Sequence, residues 1–245
     1  MRFYAGRDEK VPVSQALVDL GRDLLLRYDF DDAQGMRDHN VAGVVKETCA
    51  GAAGQDTARA VCLSLRDRVD DYSLSYGDVH DVVRTLFKLH PEIALDSFLL
   101  GSRPVARSLF VSGFTRFPPI ESLSAETIRA WADQDPAVRY PRVGEVMSLF
   151  RREEYEEGND LSPLFVDLLS TAPDKAAFLG EPRRRLHPRS YGGSLADVLK
   201  VRKESFETLL DDPDVAAWYA NVRPILEGWI SNQRREDGEA EESFE

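Results

Sequence analysis

The stretch PRRRLHPR (182–189) gathers Arg183, Arg184, Arg185, His187 and Arg189 within eight residues. Guanidinium groups at this density could grip a phosphate, a nucleic-acid backbone or an acidic partner surface through charge-assisted hydrogen bonds. The plainer reading is a solvated helix end, where positive charge complements the helix dipole. Just downstream, SYGGS (190–194) sets glycines before a helix start, a place from which backbone amides can cradle phosphate. It lacks the GxxxxGK[ST] spacing and a preceding strand, so it reads as a turn feeding a Ser194 cap. REEYEEGND (152–160) crowds four glutamates without an apolar setting to shift their titration, and reads as an exposed acidic loop.

Covalent and metal chemistry find less support. Cys49 and Cys62 sit among small and apolar residues and read as reduced, buried thiols. The histidines (His39, His80, His90, His187) lie far from any partner at zinc-ligand spacing. No nucleophile elbow, zincin helix or dinucleotide fingerprint occurs. The expectation is therefore a non-enzyme with no catalytic residues, no cofactor and no metal. Its candidate interaction residues are Arg183, Arg184, Arg185, His187 and Arg189.

Charge narrows the partners. Asp and Glu number 43 against 31 Lys and Arg, a net charge of −12. That field repels a polyanion, so bulk nucleic-acid binding is disfavoured. A nucleic-acid accessory acting through 182–189 stays as the alternative to a protein-binding scaffold. No apolar run approaches ~18 residues, and the opening MRFYAGRDEK has no signal-type segment, so the chain is expected to be cytoplasmic and free of membrane.

The elements that would carry these residues are helical. Val13, Leu17, Leu20, Leu24 and Leu25 recur at three-to-four spacing, as do Val41, Val44, Val45 and Cys49. GDVHDVVRTLFKLH (77–90) puts Val79, Val82, Val83, Leu86 and Phe87 on one stripe. Helix starts are legible downstream: Ser124, Asp135 before Pro136, Ser162 before Pro163, Ser194 with Asp197, and Asp212 before Pro213. Strand alternation is nearly absent; the best candidate is SLFVSGF (108–114). The reading is an all-α chain of about ten to twelve helices. Its parts are an arm (1–10), a helical part (11–101), an irregular connection (102–121), further helices (122–233) and an acidic tail (234–245) that continues the last helix in charge pattern and is then expected to fray or stay disordered. Trp131, Trp218 and Trp229 read as packing residues, with Trp218 also weighed as facing a partner. Pro224, between the last two, predicts a kink.

A phrase recurs along this helical background. PEIALD (91–96), DPAVRY (135–140), PDKAAF (173–178) and PDVAAW (213–218) place prolines 45, 37 and 40 residues apart. Restarting a helix at such steps resembles helix-pair repeats of HEAT or armadillo type, whose period is ~40–47 residues. The expected architecture is thus an irregular α-solenoid, whose stacked pairs bury one continuous core.

Trp131, Asp135-Pro136, Arg139-Tyr140-Pro141, Ala172 to Asp174, Pro188, Ser190, Tyr191, Gly193-Ser194 and the final Phe244-Glu245 form a further pattern. It resembles the carboxy-terminal helical region of large bacterial proteins, some defence-associated. Tyr191 stands where that pattern has Trp. The resemblance implies a helical-repeat tail acting beside other modules of a multi-component system. It carries over no catalytic residue.

Overall fold

A computed structural model describes residues 13–28, 30, 36–70, 76–100, 119–153, 156–188 and 191–242. The arm (1–10), the strand candidate 108–114 and nearly all of the connection 102–121 lie outside these residues, as do Arg189, Ser190 and the last three positions. The chain divides into two compact units, Met1–Ser97 and Phe98–Glu245. The described residues are mostly helical.

The first unit is built from α1 (Gln15–Arg27), α2 (Met36–Thr48), α3 (Gln55–Asp70) and α4 (Tyr76–Leu89), with α5 (Pro91–Leu99) opening at Pro91 as expected. α4 delivers its whole predicted stripe to the interior: Val79, Val82, Val83, Leu86 and Phe87 are all buried. There α2 and α3 meet it with Val45, Cys49, Ala58, Cys62 and Leu65. His90 reaches across to the Cys49 carbonyl at 2.5 Å, satisfying an acceptor at the end of α2.

α1 departs from its expected packing. Its Ser14 cap forms, accepting the Leu17 amide. The face turned inward, however, is Gly21 and Leu25. A Cβ at Gly21 would lie 2.5 Å from the Thr48 side chain, so α1 and α2 close at that glycine. Arg22 Nε then donates to the Thr48 carbonyl at 2.9 Å, capping α2. The rotation leaves Leu17, Leu20 and Leu24 at 59%, 55% and 59% exposure.

The second unit runs α6 (Ala125–Ala132), α7 (Pro136–Val146), β1 (Phe150–Glu153), β2 (Glu156–Leu161), α8 (Pro163–Thr171), α9 (Lys175–Leu179), α10 (Pro182–Leu186), α11 (Leu195–Glu207) and α12 (Pro213–Glu242). The strands pair antiparallel, with Phe150 opposite Leu161. This hairpin corrects the reading of 152–160 as a loop: Phe150 is buried, and β2 packs on α11. Too few residues alternate there for the pattern to stand out from sequence.

Three of the five expected caps make their side-chain bond, while Asp135 holds the cap position of α7 without one. Ser124 accepts from Thr127 N and Ser162 from Phe165 N. Asp212 accepts from Asp214 N and Val215 N at 3.0 and 3.3 Å. Ser194 holds the cap position without the expected side-chain bond; its hydroxyl donates to Asp237 at 2.9 Å instead. That contact bears on the tail, whose described residues, 234–242, remain helical. α12 runs on through Pro224, exposed on its surface, to Glu242. Asp237 is also bonded by Gln233, one turn earlier. α9 lies against both α7 and α12, and α11 against α12. Trp131, Tyr140, Phe165, Phe178, Leu199 and Phe206 are buried here.

Candidate protein-binding groove

Among the described side chains of the arginine cluster, Arg183 is exposed and Arg185 is buried. Pro182 opens α10. Arg183 is exposed, and its amide is bonded by Glu181. Arg185 is 4% exposed. Its guanidinium donates to the carbonyls of Met147 (2.8 Å), Gly144, Phe178 and Leu179. These carbonyls end α7 and α9, so the cation sits where two helices present their negative poles. Phe165 covers its face at 5.1 Å. Gly144 makes this nest possible: a Cβ there would fall 2.1 Å from the Phe178 carbonyl oxygen. Arg185 is therefore withdrawn from the proposed interaction set, because its donors are committed to the chain's own backbone. His187 sets its ring edge-on to Trp229 at 6.1 Å, with Nδ1 2.9 Å from the Pro188 carbonyl. Arg184 belongs to α10, and Arg189 falls outside the described residues.

A second buried arginine escaped the sequence reading. Arg202, on α11, is 0% exposed. It donates to Asn159 Oδ1 (3.1 Å), Gly158 O (3.0 Å) and Leu186 O (3.4 Å), and lies over the Phe150 ring at 4.3 Å. It thus ties the hairpin to α10 and α11. Its only signal in LADVLKVRKESFE is position: Leu195, Leu199, Arg202 and Phe206 fall on one helical face.

The open surface of this unit lies elsewhere. The first turns of α7, α9 and α12 border two adjoining cavities of about 390 and 470 Å³. Pro136, Ala137, Tyr140 and Pro141 line the first; Asp214, Ala217, Trp218 and Asn221 line the second. Pro173 and Asp174 border both. These residues come from three of the recurring phrases, which the sequence marked as helix starts without showing that they share a surface. Trp218 is half-buried, its ring 5.5 Å from Phe206 and its Nε1 donating to Gly180 O at 3.2 Å. Lys175 crosses to Asp212 in an ion pair, and that hydrogen bond holds the Asp212 carboxyl below its ordinary titration range.

In the first unit, Leu24, Tyr28, Val41 and Val44 border a cavity of about 430 Å³ beside the exposed leucines. The thiols there are sequestered. Burial pushes Cys62 up to about 12 and raises Cys49 as well, which leaves little thiolate for chemistry at neutral pH. Among the described residues, no three His, Cys, Asp or Glu side chains gather as a metal site. Comparison with protein-family models, curated proteins and solved structures finds no match to this chain.

Proposed function

We propose that the chain is a non-enzymatic helical interaction module that holds a protein partner in the groove formed by α7, α9 and α12. One observation carries this reading: three restarts of the same phrase contribute exposed small residues, prolines and one half-buried indole to a single open surface. An aromatic anchor beside small residues is the composition of binding hot spots. An α-solenoid of HEAT or armadillo type uses equivalent positions of successive repeats in this way, and that architecture is part of the proposal. A bacterial, defence-type multi-component system is the setting that the family resemblance implies. Nucleic acid is the weaker alternative, since Arg185 is consumed internally and the net charge is −12.

A photo-crosslinking residue at Ala217, compared with one at exposed Val201 on α11, tests the proposal in cells of the source organism. The expected result is one recurrent adduct from position 217 and none from 201. The adduct, purified separately, should bind the parent chain and lose binding to Ala217→Arg. Equal labelling from both positions, or binding indifferent to Ala217→Arg, would overturn the groove as the working surface.

A further inference from the structure

We infer that the groove takes an extended, basic peptide segment of the partner; this rests on the groove being the interaction surface. The electrostatics come from the second residues of two phrases, Asp174 of PDKAAF and Asp214 of PDVAAW, both exposed at the groove. Among the described residues that line the two cavities, Lys175 is the one cation, and it is paired with Asp212. Helix amino termini would ordinarily oppose a cationic ligand. Here carboxylates answer those amides: Asp174 Oδ1 accepts from Ala177 N at 2.8 Å, and Asp212 accepts from Asp214 and Val215. Among the described residues, the Asp214 carboxylate has no hydrogen bond or ion pair of its own. A lysine or arginine side chain entering here meets that carboxylate and the exposed part of the Trp218 ring, a partner for a cation.

Geometry selects an extended segment. Packed helices stand ~8–10 Å apart, so the three helix starts span roughly 20 Å, which ~6 residues of extended chain cover. A second copy of this chain would bring another charge of −12 to an acidic edge.

The purified full-length chain is titrated into fluorescent octapeptides of Lys and Arg alternating with Ala and Pro, with Gln- and Glu-substituted peptides as controls, and anisotropy is read at low and physiological salt. The basic peptide should bind saturably and weaken with salt. Asp174→Asn with Asp214→Asn should weaken it by at least about tenfold, while helicity holds because asparagine also caps. Asp160→Asn with Glu204→Gln, which removes the same charge outside the groove, should change affinity by less than about twofold. Equal weakening by both pairs would reduce the effect to diffuse net charge and overturn the inference. Preference for the Gln or Glu peptide, abolished by Ala217→Arg, would also overturn it and leave the groove reading standing. Crosslinks from position 217 that join only two copies of this chain, with no peptide bound, would remove both.

Discussion

The two units place the wrong-seeming residues in opposite ways. The first leaves four leucines of α1, Leu17, Leu20, Leu24 and Leu26, more than half exposed while burying Gly21 and Leu25. The second buries two arginines, Arg185 and Arg202, almost completely. Polarity alone predicts neither. A buried guanidinium is tolerable when every donor meets an acceptor and an aromatic face covers the ring, and both arginines meet helix-end or hairpin carbonyls over a phenylalanine. An exposed leucine costs little in a folded monomer but invites contact. The lesson is that burial follows the supply of partners at each position: close backbone approach at Gly21 sets how α1 sits, and orphaned carbonyls draw the arginines in.

The largest expected effect tests the second unit. Arg202→Ala should cost about 3–5 kcal/mol, since it strands the Gly158 and Leu186 carbonyls and opens a cavity over Phe150. Arg185→Ala should fall in the same range. Urea denaturation of each variant reads both values, and a loss under about 1 kcal/mol would show that the buried charges contribute no more than their neighbours.

An intermediate effect sharpens the contrast between interiors, because the first unit buries groups that must stay neutral. Burial raises Cys62 to about 12, whereas an unfolded thiol ionises near ~8.5. Its contribution to stability is complete below ~8.5 and declines as pH rises from there toward 12, because the unfolded chain releases the proton first. Thermal melts of the parent and a Cys62→Ala variant between pH 7 and 10 should show a steeper alkaline decline for the parent. Both thiols should resist a disulfide reagent at neutral pH until the chain unfolds.

The smallest changes in stability should come from the outer residues. Leu20→Gln and Arg183→Glu should each stay within about 0.5 kcal/mol of the parent. Sedimentation velocity on the leucine variant then asks whether the α1 stripe drives association; a cost above about 2 kcal/mol would mean that this leucine is buried in solution.

Much of this fold could be read from sequence where one local rule operates. The α4 stripe and the caps at Ser124, Ser162 and Asp212 depend on neighbours within a turn, and all formed. The α1 stripe satisfied the same periodicity, yet all of it but Leu25 faced outward, because its orientation is set by the close fit of Gly21 against Thr48, a contact 27 residues away in the chain. The hairpin was missed because its strands are short and charged. The groove was half visible. The phrases marked helix starts, but Pro173 precedes its cap, Asp174, whereas Pro213 follows its cap, Asp212. That offset hides their shared surface from any alignment by residue type, and only the packing of α9 between α7 and α12 reveals it.

The length of α12 has a mechanical consequence. Its 30 residues, with Pro224 inside, span at most about 45 Å, with Asp214 and Trp218 toward one end and Asp237 near the other. A rotation of about 5° at the groove end would carry the far end through about 4 Å, since displacement grows with distance along a stiff helix. The Ser194–Asp237 bond stands where that motion would be felt. A tilt at the Trp218 end of α12 is thus felt at the Ser194 hydroxyl, with α12 serving as the lever.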